Sequence, residues 1–345
     1  SVDLTVSLGP WTGIDNEPPA VRVTATPNKV IIGNPVVIKV TATDNAGVAD
    51  QELTINGVPT PLVNGQATYL PQQAGFFIAT ATDLDISGLT GTASVTIAAA
   101  NPYDVYTPVA VLDETDCPDV TDRYSITGQI SDPDGVMYTL ACRLQGTEKW
   151  EILAQQTGKT FSGELGVFDP TTKPNGVYEI ILNAKDPAGN VAVASGCLVA
   201  DGNLKLGAVT LPNTDLSIPA PGLPVALERT YDSRVTGGDF GPGWSLPAST
   251  IRPMTTRELY KGWAEEAAGS FLTTYYLIEK YRHVVVIRFS DEEVLKFRLD
   301  VTPKSSLMNP YSGINLQAAY VPLEGTQGVL EALNVSSIHL MMINN

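Results

Sequence analysis

Val36–Val48 reads VVIKVTATDNAGV, and its reading decides the fold. Val36, Ile38 and Val40 alternate with small or polar neighbours, so the stretch has one apolar face and one wet face. That period of two belongs to a half-buried strand of an antiparallel sheet, and Asp44-Asn45-Ala46-Gly47 then supplies turn residues. The same alternation runs through Ser94-Val95-Thr96-Ile97 and through Tyr178, Ile180 and Leu182. Asn56-Gly57, Asn64-Gly65 and Asn175-Gly176 punctuate these runs at hairpin intervals.

The stretch also recurs. Thr41–Val48 resembles Gln129–Val136 at an offset of 88, and Ala81-Thr82-Asp83-Leu84-Asp85 resembles Ala184–Asn190 with Asp83 set against Asp186, an offset of 103. The growth implies 15 inserted residues in the second copy, placed in the Thr-, Gly- and Pro-rich segment Thr157–Thr172. Each copy has the length and strand density of an immunoglobulin-like β-sandwich. The expected organisation is a lead-in (1–16), a first sandwich (17–100), a second sandwich (101–201) and a different sheet region (202–345), all-β throughout. Pro18-Pro19 and Asn101-Pro102 mark the boundaries. The D-x-A-G and A-x-D-x-A-G-N turns resemble those of bacterial immunoglobulin-like repeats in large surface proteins.

Composition narrows function. Lys plus Arg total 21 against 37 Asp plus Glu, a net charge of −16 and a pI near 4.5, which repels phosphate backbones and argues against nucleic acid. The acidic excess suits a soluble extracellular or cell-surface protein, or one that binds calcium. No run of about twenty apolar residues predicts a membrane span. SVDLTVSLGPW lacks the regions of a signal peptide, so Ser1 reads as the start of a fragment or processed chain, and Met341–Asn345 as a cut end. Of three cysteines, Cys142 shares an inward face with Tyr138, Leu140 and Leu144; a Cys117–Cys142 or Cys142–Cys197 bridge is open, and no CxxC pair suggests zinc.

After residue 200 the period breaks. Leu223, Val225, Leu227, Arg229 and Tyr231 share one strand face, where Arg229 requires a paired acceptor or a rim position. Arg229–Leu246, RTYDSRVTGGDFGPGWSL, then places four glycines and a proline before Trp244. A phosphate loop is disfavoured: Pro247 obstructs the helix that should follow, and Asp239 repels the anion. The preferred reading is a structural corner. Gly241 and Gly243 supply the bend, with Arg229, Tyr231 and Trp244 as anchors, and truncating a buried Trp244 would cost about 3–5 kcal/mol.

The series L-K-L-G, D-L-x-I-P-x-x-G-L-P, R-T-Y-D-S and G-D-F-G-P-G-W-S-L over 203–247 resembles the opening segment of the Rhs/YD-repeat family. Tyr276, His283–Val286, Phe289 and Phe297 continue the resemblance more thinly to 345. The resemblance implies the start of a large β-cage, a cage that encloses a C-terminal toxin or displays an adhesive surface. Its partners would then be the remainder of its own polypeptide, with a cell-surface protein or glycan beyond it. Tyr231-Asp232 is a single instance of the family's repeated pair, so the chain would hold the approach to the cage and its first wall.

No catalytic residue and no cofactor-binding residue is assigned. His283 and His339 lie in apolar strand-like runs, and no G-x-S-x-G accompanies them. Asp291, Glu292 and Glu293 read as a solvated turn. Calcium is the one small ligand considered, with oxygen ligands at Asp83/Asp85, Asp132/Asp134 and Asp15/Glu17, although plain turn chemistry is preferred at each and no metal ligand is assigned. The junction acids Asp15 to Glu17 are the version to test first. A calcium-stiffened adhesin is therefore the alternative to a structural segment. Residues 255–282 are ambiguous, since Glu258, Leu259, Trp263 and Ala267 allow a short helix while Thr273–Ile278 prefers strand. Asn334-Val335-Ser336 is a glycosylation sequon.

Overall fold

The computed structural model describes residues 15–113, 116–202, 204–218, 225–235, 237–246, 251–269, 272–289, 293–311, 315–333 and 340. Both chain ends, Leu223, Pro247, Asp291, Glu292, His339 and the Asn334 sequon lie outside them.

The first module contains β1 (Ala20–Thr26), β2 (Lys29–Ile31), β3 (Val36–Thr43), β4 (Val48–Ile55), β5 (Val58–Pro59), β6 (Gln66–Tyr69), β7 (Gly75–Asp85) and β8 (Thr90–Ala100). They form two sheets, ordered β1-β3-β6 and β2-β8-β7-β4-β5. Every pairing is antiparallel except β2 with β8. The alternation pays out in packing: Val36, Ile38 and Val40 meet Leu53, Ile55, Ala79, Ala81 and Ile97 in one buried core. This is a β-sandwich, with the two inner faces supplying the core.

The second module contains β9 (Val109–Leu112), β10 (Asp119–Val120), β11 (Tyr124–Leu144), β12 (Glu151–Phe168), β13 (Gly176–Lys185) and β14 (Val191–Ala200). Here the Asp132-Pro133-Asp134-Gly135 element is not a hairpin turn. It is a bulge within β11, where the ladder to β12 jumps from Ser131 to Val136. Before the bulge β11 pairs with β9; after it, with β13. One long strand therefore does the work of two. Cys142 is buried, as its inward face predicts, among Tyr138, Leu140 and Ile180; burial pushes its thiol up to about 11.

Strand register corrects the repeat. Leu84↔Thr90 in the first module is matched by Lys185↔Val191 in the second, and each pair closes the same turn. Asp186 thus corresponds to Asp85, not Asp83. The extra length of the second copy also starts earlier than Thr157, in the long β11–β12 hairpin that pairs Cys142 with Glu151.

The third region contains β15 (Thr210–Ile218), β16 (Val225–Asp232), β17 (Trp244–Ser245), β18 (Arg252–Thr255), β19 (Trp263–Ala268), β20 (Thr274–Glu279), β21 (Val284–Arg288), β22 (Val294–Thr302), β23 (Ser305–Leu307) and β24 (Gln317–Pro322). Its sheets are ordered β15-β16-β17, β18-β21-β22-β24 and β19-β20-β23. The helix allowed near Trp263 does not form; Trp263–Ala268 is strand, because pairing with β20 buries Trp263 against Leu277 and Leu299. Among the described residues there is no α-helix, and hence no helix long and apolar enough to cross a membrane.

The second module and the third region share a core. Val177 and Val199 pack with Met254, Val284 and Val286 around Cys117. Gly176 makes this approach possible: a Cβ there would meet the Met254 methyl carbon at 2.7 Å. The bridge is Cys117–Cys197, with Cα atoms 4.7 Å apart, and Cys142 is the free thiol. The two pairings with Cys142 that the sequence leaves open do not form, since the inward face that buries Cys142 turns it away from the seam that the other two occupy.

Candidate functional site

Two places gather polar groups with a structural purpose: the seam between the second module and the third region, and the loop end of each sandwich.

At the seam, Lys296 of β22 reaches two second-module carboxylates, Asp119 at 2.8 Å and Asp201 at 2.5 Å. Arg282 binds Asp119 at 3.0 Å and the Cys117 carbonyl oxygen at 3.0 Å, and its backbone N–H donates to Asp116 at 2.8 Å. Burial pushes the Asp119 carboxyl up, but Lys296 and Arg282 outweigh it and hold the group below the usual carboxylate range. Gln145 completes the seam with its amide, which donates to the Thr255 carbonyl at 3.1 Å and accepts the Thr255 N–H at 2.7 Å. A side chain here imitates one step of a β-ladder along β18.

The predicted corner is built on β16 and β17. Tyr231 and Trp244 face one another across β16 and β17, ring centroids 5.4 Å apart. The Arg229 guanidinium stands over the Trp244 ring at 5.2 Å and the Phe240 ring at 5.3 Å. Its required acceptor is Asp215, bonded through Nε and Nη2 at 2.5 and 2.7 Å. The ladder between β15 and β16 jumps from Thr214 to Leu216, so Asp215 is the bulged residue. Gly241 and Gly243 adopt φ of +102° and +82°. A Cβ on Gly243 would come within 2.4 Å of the Tyr231 ring. Asp239 accepts the Leu246 N–H at 3.1 Å, a structural use of the acid that argued against phosphate.

Trp244 is only half-buried, and β15 of the same sheet is exposed along its whole length. Trp244→Ala is therefore expected to cost about 1–2 kcal/mol rather than the larger penalty of a buried ring. Gly243→Ala, which combines a clash with a left-handed backbone, is expected to cost about 2–3 kcal/mol. Both effects should appear as lost hydrogen-exchange protection at the Asp232 amide, which donates to the Gly243 carbonyl. Unchanged protection in Gly243→Ala would refute the corner.

His283 is buried and uses both ring nitrogens on groups of the chain: Nδ1 lies 3.0 Å from Glu279 Oε1 and Nε2 lies 2.6 Å from the Lys261 carbonyl oxygen. Its ring stacks on Trp263 at 4.6 Å. A cleft of about 300 Å³ nearby is lined by Glu279, Arg298, Asp300 and Lys304, but the Glu279 oxygens are engaged by His283 and Arg298. These residues brace one another.

At the loop end of the first module, the sequence candidates recombine. Asp15, Asp44 and Asp85 bring one carboxylate oxygen each to within 4.8 Å of one another. The pairs Asp83/Asp85 and Asp15/Glu17 are thus split. Asp83 lies two residues further along the inward face of β7, bonded to Gln51 at 3.2 Å. Glu17 is exposed and donates its N–H to Asp15. In the second module Asp134 donates its N–H to Asp132 at 2.8 Å, while burial and then the neighbouring charges of Asp186, Asp104 and Asp134 push the Asp132 carboxyl up. In the sequence Asp44 reads only as a turn residue. The missed signal was the matched acid in both copies, Asp15, Asp44 and Asp85 against Asp104, Asp132 and Asp186.

Fold and site together define an all-β chain of tandem β-sandwiches sealed to a further sheet region. Residues 203–251 match the model of a family described as a domain of unknown function (DUF6531). No curated protein matches the chain. Among solved structures it is similar to fibronectin(III)-like modules of Clostridium thermocellum CbhA, with 14% identity, covering 53% of this chain and 94% of that one, TM-score 0.22. It is also similar to a Bacteroides ovatus glucan-utilization protein, SGBP-B, in complex with a mixed-linkage heptasaccharide, at 9% identity, 85% and 70% coverage and TM-score 0.21. A Ca²⁺-stabilized, ice-binding adhesin from an Antarctic bacterium aligns at 13% identity, 89% and 74% coverage and TM-score 0.20. Such similarities concern the β-sandwich fold alone.

Proposed function

We propose that this chain is a non-enzymatic structural segment of a larger extracellular or cell-surface protein. In this reading the two sandwiches are spacer and cap, mounted on the first sheets of a Rhs/YD-repeat-type β-cage. The observation that carries it is the seam. A shared apolar core, a disulfide and the Lys296 and Arg282 ion pairs leave no slack between the second module and the third region. An apolar interface closed by a covalent bridge and ion pairs suppresses the relative motion that domains otherwise show.

Further support comes from the β15–β16 hairpin, whose Leu211, Leu216, Ile218 and Leu227 are exposed. Such a ladder is what later strands of the same polypeptide would cover. The disulfide suits an oxidising compartment, and the acidic surface suits solubility outside the cell. The proposed partners are the rest of the polypeptide, including a cage-enclosed C-terminal toxin where one exists, and a cell-surface protein or glycan.

Electron microscopy of the whole polypeptide tests the proposal. The two sandwiches should sit at a fixed angle on a closed shell. Sandwiches swinging freely about residues 201–204, or no shell, would overturn it. The second reading, a calcium-stiffened surface adhesin, is favoured by one observation, the Asp15–Asp44–Asp85 cluster.

A further inference from the structure

The inward positions of β7 read Ala79, Ala81, Asp83 and Asp85, so a buried apolar row ends in two buried carboxylates. Asp85 is 1% exposed. Its Oδ1 accepts the N–H groups of Ser87 and Leu89 at 2.7 and 2.8 Å. Its Oδ2 is sealed from solvent in the acidic pocket and has no donor; Asp15 Oδ2 is in the same condition. Asp44 completes the trio, with its Oδ1 fixed by the N–H groups of Ala46 and Gly47. Three carboxylates held this close, two with buried unpartnered oxygens, would repel one another and lose hydration unless a cation neutralised them.

The second module supplies an internal control. Asp186 occupies the place of Asp85, and its Oδ1 accepts N–H groups of the same turn, from Gly189 and Asn190. Here, however, the Asn190 side-chain amide donates to Asp186 Oδ2 at 2.7 Å and to the Asp104 carbonyl oxygen at 3.4 Å. An amide therefore joins the turn to the segment around Asp104 that precedes β9. The first-module residue at that position is Leu89, whose N–H and carbonyl make the matching turn bonds but whose side chain has no donor. Lys29 of the first module adds a positive charge at the same turn, donating to the Ala188 carbonyl oxygen at 2.8 Å.

The geometry points to a calcium site formed by Asp15, Asp44 and Asp85, in which the cation does in the first module what the Asn190 amide does in the second. Calcium fits because it takes six to eight oxygen ligands in flexible geometry, which carboxylates, loop carbonyls and water supply together; magnesium demands a tighter octahedron. The three acids come from the lead-in, the β3–β4 loop and the end of β7. Binding would clamp the approach to the first sandwich onto its loop end. This inference rests on the loop geometry and holds under either reading of function.

Isothermal titration of the full 345-residue chain with calcium chloride after EDTA stripping, paired with thermal unfolding, provides the test. One site is expected, with first-module unfolding raised by about 10 °C or more at a hundredfold excess over the dissociation constant. Asp85→Asn and Asp44→Asn should each weaken binding at least tenfold. Leu89→Asn should weaken it similarly while raising the stability of the calcium-free protein, since it installs the second module's donor. The two Asp substitutions keep the test decisive if one variant fails to fold. No calcium response at millimolar concentration, a response that survives both Asp substitutions, or an equal response to magnesium would overturn the assignment.

Discussion

Replacing both Cys117 and Cys197 by alanine is expected to lower the stability of the unit made by the second module and the third region by about 3 kcal/mol. The bridge closes a separation of 80 residues, so it withdraws a large set of conformations from the unfolded chain. It also fills the seam: Cys117 is fully buried against Val177, Val199, Met254, Val284 and Val286. Both sulfurs lie beside the Thr256 carbonyl oxygen, at 3.1 and 3.2 Å. For a unit of this size the loss corresponds to a melting point lower by roughly 6–12 °C. Calorimetry of the double variant, with and without reductant on the parent chain, measures it. Cys142 provides the control. With its thiol pushed up to about 11 and buried, it should stay silent to thiol reagents in the native protein at pH 8. A double variant within 1 kcal/mol of the parent would mean that the seam holds without its bridge.

The disulfide also illustrates how much the sequence could disclose. Alternation gave the strands, the core faces and the burial of Cys142, because a period of two is a local property of the chain. Pairing of Cys117 with Cys197 was not legible, because it depends on β10 lying parallel to β14, a long-range placement. The repeat aligns Asp44 with Asp132 but sets Asp83 where Asp85 belongs, since a two-residue shift keeps the same face and looks equally good as a string. Only the ladder fixes the register. Asp132–Gly135 looked like a turn for a related reason: a bulge and a turn use the same residues, and the pairing partners on either side decide between them. At the corner, the need of Arg229 for an acceptor was legible, whereas the identity of Asp215 required its bulge. The half-burial of Trp244 was hidden too, because exposure follows from what else covers the sheet.

Glu279 carries the second large effect, and its sign depends on pH. The residue ends β20, yet its carboxylate accepts the backbone N–H and faces the ring Nδ1 of His283, each at 3.0 Å, and also binds Arg298 of β22. Burial pushes this carboxyl up, but the hydrogen bonds from His283 and Arg298 outweigh burial and hold it at about 2. In the unfolded chain a glutamate titrates near 4.3. The folded state therefore prefers the ionised form, and the resulting stability is fully present above about pH 4.5 and lost as pH falls towards 2. Arg298 is half-exposed, so solvent screens part of the interaction; about 2 kcal/mol at pH 7 is the expected difference between the parent and Glu279→Gln. The gap should close progressively between pH 4.5 and pH 2 in denaturant titrations. A gap independent of pH would assign the loss to packing beside Trp263 and His283 instead of to the charge. A general acid, by contrast, needs a carboxyl raised towards the operating pH and an accessible proton. Glu279 is shifted the opposite way, and what it holds together is β20, the approach to β21 and β22.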